Sequence, residues 1–323
     1  MNQPRLSIVI PTYNRREKLN QLLRSIAESS PNYEYEVIVV DDSPTSTIVD
    51  EDTKQSLGYR LHLVRNSTRL FISRAKNLGW RHGQGDYIFF IDDDNVVPKG
   101  TIEILSSKLD QDPHIGALMP AVFYEKRLQL AWVYATPFSK GRWSFELIGR
   151  NTEAGKKQWP EILSTDALPN AFMVRKLILE KLGGFDESLP INSSCDFCQR
   201  VKKSGYKVYA LTSAVIYHDV TPPNIPGYWA EHATIDVERR YFEVRDWFNI
   251  MARLHHGESF LPLKELVRSL PFLTEVGLGV LMHPSKTGKR VLPTYGAMIR
   301  GLIDGMKIAA RQTNGADTSL LSR

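Results

Sequence analysis

The stretch that decides the fold is Gly85-Asp-Tyr-Ile-Phe-Phe-Ile-Asp-Asp-Asp-Asn95, in which five apolar residues lead directly into three carboxylates. A short apolar run without alternation is typical of a strand that is buried on both faces of a parallel sheet. Leu6 to Ile10 and Val37 to Val40 have the same character, and the second run also ends in two acids, Asp41 and Asp42. Three such runs predict the centre of a parallel sheet.

Helical patterns separate these strands along the chain. Apolar residues recur at helical spacing from Arg15 to Ser29, with Asn14 as the expected N-cap. Further helices are expected over Ile72 to Trp80 and Thr101 to Leu109, and Tyr59 to Val64 adds another strand. Strands that alternate with helices predict a doubly wound α/β sheet.

Beyond residue 110 the pattern changes, because two apolar runs follow each other without a helix between them and can pair as neighbouring strands. This predicts a mixed sheet, with a long loop over Pro137 to Pro160 and a helical remainder after Thr221. The expected domains are an α/β domain, residues 1–220, and a helical C-terminal extension packed on it, residues 221–323. The elements expected here are strands at Ala117 to Tyr124, Leu128 to Ala135, Ala167 to Val174 and Val208 to Tyr217, and helices ending at Leu182 and running from about Cys195 to Ser204.

Composition narrows the class of protein. The chain has 323 residues, of which 42% are hydrophobic and 24% charged, the balance of a globular protein with a substantial core. No apolar run approaches the roughly 18 residues of a membrane span, and no secretion signal is visible, so a cytoplasmic location is expected. The net charge of +5 favours anionic partners without selecting one. Nucleic acid is not among the partners we expect.

The acids Asp92, Asp93 and Asp94 follow a buried strand at the edge of a parallel sheet where ligands usually bind. Three successive carboxylates repel one another, and a divalent cation would relieve that repulsion. Oxygen ligands in this number suit Mg²⁺ or Mn²⁺. A solvated acidic turn is the alternative interpretation.

Four segments together resemble the family 2 glycosyltransferases, enzymes with the GT-A fold. They occur in order and at matching spacing, and the similarity extends over roughly residues 5–220 through Leu182 to Glu187 and Asp196 to Tyr209. The segments are Ser7-Ile-Val-Ile-Pro-Thr-Tyr-Asn-Arg15, Val37-Ile-Val-Val-Asp-Asp-Ser43, Ala75-Lys-Asn-Leu-Gly79 and Gly85 to Asn95. The resemblance implies a GT-A fold, a doubly wound mixed sheet, with the helical extension after it.

The resemblance also implies roles for individual residues near a nucleotide. Asp42 would accept a hydrogen bond from the base, expected to be uracil, while Asp41 supports that turn. Lys76 stands where the family usually has arginine, which keeps the charge and loses the bidentate fork. The further nucleotide-binding residues implied by the resemblance are Pro11, Thr12, Tyr13, Asp92 and Asp93, with a purely structural role as the alternative for Asp93.

A metal site and a general base are implied in the same way. Asp92 and Asp94 match the outer acids of the family's DxD motif, and His218 matches a histidine that completes the metal site in some relatives. The family's usual base is missing, because Ser193 and Ser194 stand where Glu and Asp are expected. Asp196 is the remaining candidate base, with helix capping as its alternative role. The more distant candidates are Asp166, Asp186 and Glu187.

The implied activity is inverting transfer of a sugar from a nucleotide-diphosphate donor, expected to be UDP-linked, to a hydroxyl of a glycan or lipid-linked acceptor, with Mn²⁺ or Mg²⁺. One alternative is a sugar-nucleotide-binding protein that has lost turnover. Another is a sugar-1-phosphate nucleotidyltransferase, although Pro11 to Arg15 lacks the glycines of that class.

Residues Phe260 to Arg311 mix leucines with lysines and arginines. This pattern suggests peripheral contact with anionic lipid at the inner face of the cell membrane, and an ordinary helical packing layer is the alternative.

Overall fold

The strands and helices alternate along most of the chain in the computed structural model. It describes residues 3–29, 31–44, 49–139, 144–222, 236–254 and 291–313, together with residues 274 and 278. The strands are β1 (Leu6–Thr12), β2 (Tyr35–Asp41), β3 (Arg60–Arg65), β4 (Tyr87–Ile91), β5 (Asn95–Val96), β6 (Ile115–Tyr124), β7 (Arg127–Val133), β8 (Phe138–Ser139), β9 (Ser144–Phe145), β10 (Ile162–Ser164), β11 (Ala171–Arg175) and β12 (Lys207–His218). The helices are α1 (Arg16–Ser29), α2 (Glu51–Ser56), α3 (Phe71–His82), α4 (Thr101–Gln111), α5 (Lys176–Leu182), α6 (Ser193–Lys203), α7 (Val237–Leu254) and α8 (Val291–Thr313).

The central sheet has the expected parallel half. Strand β1 pairs in parallel with β2 on one side and with β4 on the other, and β2 pairs in parallel with β3. The apolar runs of β1, β2 and β4 are almost fully buried, as a strand covered on both faces requires. Their carboxyl ends therefore meet at one edge of the sheet, where Asp41 and Asp92 follow.

The other half of the sheet is mixed, which confirms the predicted fold class. Strand β11 runs antiparallel to both β4 and β6, and β12 runs parallel to β6. The expected pairing of neighbouring strands without a helix between them is the antiparallel pair β6 and β7. At its carboxyl end β12 also pairs with β5, so that His218 lies opposite Asn95. This pairing brings the end of β12 beside the acidic turn after β4.

Several local expectations were wrong. The stretch expected as a long loop after Pro137 contains the short hairpin β8 and β9 and a bridge from Ala135 to Ile148. Backbone pairing there does not need a periodic side-chain pattern. The strand expected from Ala167 begins only at Ala171, because Asn170 has a left-handed φ of 62°. Helix α1 begins at Arg16, so Asn14, with φ 55°, lies two residues before the helix instead of capping it. Besides β8 and β9, the elements that were not predicted are α2, β5 and β10.

Helix α3 lies unusually close to the sheet because it carries a glycine at the contact. A Cβ added to Gly79 would stand 2.3 Å from Cγ1 of Val9 and 3.1 Å from Cγ2 of Val40. Gly79 therefore lets α3 pack directly on β1 and β2. Lys76, one turn earlier on the same helix, is buried at 4% exposure. This close packing sets the distance of α3 from the sheet, and therefore the position from which Lys76 approaches the end of β4.

The chain divides into two compact units, Met1–Ser188 with Ser193–Pro222 and Leu189–Asn192 with Pro223–Arg323. In the second unit α7 buries Val244, Phe248 and Met251, and the chain is helical there, as expected after Thr221. Val244 and Phe248 pack against Met298 of α8. Most of the basic and apolar residues noted between Phe260 and Arg290 lie outside the described residues. Among the helices that the structure describes, none is both long and apolar enough to cross a membrane.

Candidate active site

The site is built at the edge of the sheet where β1, β2, β4 and β12 end. The N–H of Asp42 donates to the carbonyl oxygen of Thr12 at 3.1 Å, which joins the ends of β2 and β1. The N–H of Asp219 donates to the carbonyl oxygen of Asp94 at 2.8 Å, which joins the end of β12 to the turn after β4. The structure thus brings together residues that are up to about 200 positions apart in the sequence.

The acidic turn, defined as Asp92 to Asp94, is held by the connection between β1 and α1. Oγ1 of Thr12 donates to Oδ2 of Asp93 at 2.6 Å. The Arg15 guanidinium donates to Oδ1 of Asp93 at 3.0 Å and to Oδ2 of Asp94 at 2.7 Å. Both of these carboxylates are buried. One arginine therefore pairs with two adjacent acids.

The two acids respond in opposite directions to this environment. Burial raises the pKa of Asp93 above its ordinary value, with Asp94 adding to the effect and Arg15 opposing it. Burial also acts to raise the pKa of Asp94, but His218, Arg15 and Lys18 outweigh it and the pKa is lowered. Asp94 is therefore the carboxylate of this pair that stays ionised most readily.

Asp92 has a different partner from the other two acids. Its Oδ1 lies 3.6 Å from Nζ of Lys76, and its side chain keeps 32% of its surface exposed. Nζ of Lys76 also lies 5.3 Å from the ring centre of Phe172. The chain thus supplies positive charge to every member of the acidic turn, which the repulsion argument from sequence did not foresee.

His218 stands beside Asp94 in a partly apolar setting. Its Nε2 lies 3.5 Å from Oδ1 of Asp94, and its ring meets the Trp132 ring edge to face at 5.5 Å. Its buried Nδ1 has no hydrogen-bond partner. Within the part of the chain that the structure describes, no three acid, histidine or cysteine side chains converge as a complete ligand set. The carboxylates of Asp92 and Asp94 and the imidazole of His218 are donor types that suit Mn²⁺ or Mg²⁺. Phosphate oxygens commonly complete the coordination shell of such an ion.

Asp42 organises the neighbouring loop at the end of β2. Its Oδ1 accepts from Nδ2 of Asn66 at 2.6 Å, and its Oδ2 accepts from the N–H of Leu70 at 2.8 Å. Burial raises the pKa of Asp42, against the opposing effects of these donors and of Arg69. A carboxylate has about four lone-pair sites, of which Asn66, Leu70 and the backbone of Phe71 use three, so Asp42 can still accept a hydrogen bond from a ligand.

Aromatic rings and a guanidinium lie on the same side of the site. The Arg69 guanidinium carbon stands 4.0 Å from the ring centre of Tyr13 and 4.4 Å from that of Phe71. Asp41 is turned into its own loop, where its Oδ1 accepts from the N–H of Ser43 at 2.7 Å. Pro11 pairs in register with Val40 inside the sheet. Asp41 thus supports its own turn, and the role of Tyr13 toward a nucleotide stays a prediction.

Sequence reasoning missed Arg15, Asn66 and Arg69 as site residues. Arg15 stood inside a quoted motif without a role. Asn66 and Arg69 follow β3, which is parallel to β2, so the rule that ligands bind at the carboxyl ends of parallel strands would have pointed to both.

The candidate base Asp196 lies in the first turn of α6, where its Oδ2 accepts from Nε of Arg200 at 2.7 Å. Arg200 also donates to the carbonyl oxygens of Leu182 and Gly184, at 3.1 and 2.8 Å. Asp196 thus belongs to a network that fastens α6 to the turn after α5. Ser193, at the start of the same helix, accepts a 2.7 Å hydrogen bond from Oγ of Ser73 of α3.

The more distant candidate acids each hold a structural contact. Oδ1 of Asp166 accepts from Nζ of Lys202 at 2.5 Å. Asp186 accepts from the N–H of Ser188 at 2.8 Å, and Glu187 accepts from Nδ2 of Asn77 at 2.9 Å. These contacts give all three acids a role in the fold.

Comparisons with known proteins agree with this architecture. The model of the family described as glycosyl transferase family 2 matches residues 7–183, more than half of the chain. An uncharacterized glycosyltransferase of Haemophilus influenzae is 33% identical over 111 residues, which cover 34% of this chain and 36% of that protein. The chain thus spans about a third of that relative's length.

Two solved structures share the fold at low identity. One is Staphylococcus aureus TarS 1-349 in complex with UDP-GlcNAc, with a TM-score of 0.54, 14% identity and coverage of 97% of this chain and 93% of that one. The other is the mannosyltransferase PcManGT from Pyrobaculum calidifontis in complex with GDP-Man and Mn²⁺, with a TM-score of 0.51, 18% identity and coverage of 97% and 88%. With the family match, they confirm the GT-A fold, and the chain belongs to glycosyl transferase family 2.

Proposed function

We propose that the chain is an inverting, metal-dependent glycosyltransferase that moves a sugar from a UDP-linked donor to a hydroxyl of a glycan or lipid-linked acceptor. The observation that carries the proposal is the shared edge of β1, β2, β4 and β12. It places Asp42 and Tyr13 in one connected site with the acidic turn and His218. Such an edge has room for a base at one end and a diphosphate at the other.

The base end favours uracil. The edge of uracil presents an N–H between two carbonyl oxygens, and it therefore needs an acceptor flanked by donors. Asp42 is such an acceptor, and Asn66 and Arg69 are donors beside it. The Tyr13 ring, 37% exposed, offers a flat surface on which a base can stack. Guanine presents a second donor in place of one carbonyl and would meet these donors unfavourably.

The diphosphate end favours a divalent cation. Asp92, Asp94 and His218 are the residues that would hold it. When bound, the cation would neutralise the negative charge that grows on the leaving diphosphate. Relatives of the fold were crystallised with Mn²⁺, including GalNAc-T7 with UDP, GalNAc and Mn²⁺. Lys76, buried beside Asp92, forms an ion pair at the same end.

The reaction requires a group that accepts the acceptor's proton. The acceptor oxygen attacks the anomeric carbon from the face opposite the diphosphate, the new carbon–oxygen bond forms as the bond to the diphosphate breaks, and the proton passes to a carboxylate. We assign this role to Asp196, the only acid in the first turn of α6. The carboxylate of Asp196 must then contact both Arg200 and the acceptor hydroxyl during transfer.

A second candidate function is binding of a sugar nucleotide without turnover. It is favoured by the serines at positions 193 and 194 and by the structural contacts of Asp166, Asp186 and Glu187. No observation favours a nucleotidyltransferase, given the family to which the chain belongs.

Location at the inner face of the cell membrane is also part of the proposal. Helix α8 exposes Leu292, Ile299 and Ile303 at 81%, 57% and 42%. These apolar residues lie on a helix that also carries Arg300, Lys307 and Arg311. An amphipathic basic helix of this kind is suited to the surface of anionic lipid, where a lipid-linked acceptor would be found.

Thermal unfolding with UDP-, GDP- and dTDP-sugars, each with and without Mn²⁺, tests the donor. A ligand that binds the native state raises the melting temperature. We expect the largest rise with the UDP-sugar and Mn²⁺ together, and a rise of the same size with GDP-mannose would refute the base assignment. Release of UDP during incubation with acceptor candidates then separates an enzyme from a binding protein.

A further inference from the structure

Arg15 occupies an unusual position at the acidic turn. One guanidinium contacts two adjacent carboxylates, Asp93 at 3.0 Å and Asp94 at 2.7 Å. The side chains of these acids are 5% and 11% exposed, whereas that of Arg15 is 42% exposed. The guanidinium therefore seals a buried pair of acids from the solvent side.

The charges show why this contact matters for a cation. Two buried neighbouring carboxylates are unfavourable without compensating positive charge. Arg15 supplies such a charge to both acids. A divalent cation held by Asp94 would share this carboxylate with Arg15. The two cations would repel each other, so each weakens the binding of the other.

A diphosphate changes this balance. A guanidinium binds phosphate oxygens through paired hydrogen bonds as well as it binds carboxylates. The side chain of Arg15 keeps 42% of its surface exposed. Its backbone is held in place, because its carbonyl oxygen accepts from the N–H of Leu19 at 2.9 Å and the N–H of Asn14 donates to Oγ of Ser43 at 2.9 Å. Arg15 can therefore exchange a carboxylate partner for a phosphate partner without movement of the sheet.

We propose that Arg15 makes cation binding depend on the donor. Its guanidinium holds Asp93 and Asp94 in the nucleotide-free protein and weakens the binding of free divalent cation. It moves to the diphosphate when donor and cation enter together. This inference rests on the proposed function, since it takes a nucleoside diphosphate and a divalent cation as the ligands. The donor and the cation then each strengthen the binding of the other, and by linkage the effect is mutual.

Binding of Mn²⁺, measured from the electron paramagnetic resonance signal of the free ion with and without UDP, tests the proposal. The variants are Arg15→Gln, Arg15→Lys and the control Arg16→Gln. Arg16 is the next residue, carries the same charge, is 59% exposed and pairs with Asp50 away from the acidic turn. In the wild type we expect UDP to tighten Mn²⁺ binding about 5-fold or more.

Arg15→Gln should bind Mn²⁺ tightly without UDP and lose most of the enhancement by UDP. Arg15→Lys, which keeps the charge and loses the fork, should fall between Arg15→Gln and the wild type. Equal Mn²⁺ affinity and equal UDP enhancement in Arg15→Gln and Arg16→Gln would overturn the role of Arg15. A wild type that binds neither UDP nor Mn²⁺ would instead overturn the proposed function.

A merely structural role for Arg15 predicts a different result. Loss of a fastening contact would lower the unfolding temperature and weaken Mn²⁺ binding with and without UDP alike. We therefore expect added Mn²⁺ to restore the melting temperature of Arg15→Gln more than it raises that of Arg16→Gln. Should Arg15→Gln fail to fold, the same comparison between Arg15→Lys and Arg16→Gln decides the question.

Discussion

Oγ of Ser73 lies 2.7 Å from Oγ of Ser193 in a buried hydrogen bond that joins α3 to the first turn of α6. One turn along α3, Lys76 reaches Asp92 of the acidic turn. The same first turn of α6 carries Asp196. The two serines thus link the helix that supports the diphosphate end to the helix that carries the candidate base. Ser193, where the resemblance implies an acid, serves here as a hydrogen-bonding contact between the two helices.

The acids of the turn are expected to differ in their effect on nucleotide binding. Asp92→Ala and Asp94→Ala should each remove the metal-dependent part of UDP binding. We expect the affinity for UDP with Mn²⁺ to fall at least as much as the roughly 10- to 100-fold loss that follows mutation of residues supporting a metal ligand. Asp93→Ala should reduce it less, because Asp93 faces Thr12 and Arg15. Calorimetric titration of UDP with Mn²⁺ and with chelator measures the difference. If the double variant, with both Asp92→Ala and Asp94→Ala, still binds UDP more tightly with Mn²⁺ than with chelator to the same extent as the wild type, the assignment of the metal ligands is contradicted.

Asp196→Asn tests the general base. Transfer should fall by about 10²- to 10⁴-fold, while binding of donor and metal stays normal. Arg200→Gln is the matched control, because it breaks the same ion pair and keeps the carboxylate. If Asp196 acts only as a partner of Arg200, the two variants will lose stability and transfer in parallel.

Gly79 is expected to tolerate no larger side chain. Gly79→Ala forces the added methyl against Val9, so α3 must shift, and overpacking of this kind costs about 1–3 kcal/mol. The shift should also weaken UDP binding, since α3 carries Lys76. Gly58→Ala is the control, because a Cβ at Gly58 meets no atom within 4 Å. Urea unfolding of both variants measures the cost, and equal stability would show that α3 has room to move.

Asp166 should contribute to stability in a pH-dependent way. Burial acts to raise its pKa, but the hydrogen bond from Lys202 and those from Phe138 and Gln199 lower it overall. A carboxyl group with a lowered folded pKa stabilises the protein above its unfolded value of about 3.9, and this contribution is lost as pH falls. Asp166→Asn should therefore be less stable than wild type at pH 7, with the difference shrinking below about pH 4.

Urea unfolding at pH 7 and at pH 3.5 (roughly the unfolded pKa of aspartate) checks this sign. Lys202→Gln should remove much of the same contribution, and the double variant should add little beyond either single change. A difference between wild type and Asp166→Asn that grows on acidification would contradict the direction of the pKa shift.

Substitution of the exposed apolar residues of α8 tests whether this helix contacts the membrane. Ile299→Asp with Ile303→Asp should reduce sedimentation with anionic liposomes and leave the weak association with neutral liposomes unchanged. Leu177→Asp is the control, because Leu177 is 50% exposed on α5 in the other unit. The binding should weaken with added salt, because basic side chains contribute to it. Equal binding of all variants would end the proposal.

The apolar runs and the acids that end them determined the fold class, the order of the central elements and the position of the site. A buried parallel strand needs an uninterrupted apolar run, and that requirement is local in sequence, as in Tyr87 to Ile91. The residues at the ends of such strands must then share one edge. The parallel half of the sheet, the pair β6 and β7 and the acids of the site could all be predicted on this ground.

The tertiary structure alone decided which partner each charged residue takes. The three acids after β4 form an acidic cluster in the sequence, and in the structure Arg15 and Lys76 pair with them through contacts 16 to 79 positions apart. The pairing of β5 with β12 brings His218 to Asp94. Strand β5 has only two residues, which is too short for a recognisable strand pattern in the sequence. The ion pair of Asp196 with Arg200 lies within one helix at i,i+4 spacing and is local, whereas only packing brings Arg200 to the carbonyl oxygens of Leu182 and Gly184. Contacts between elements depend on distances that no local pattern encodes.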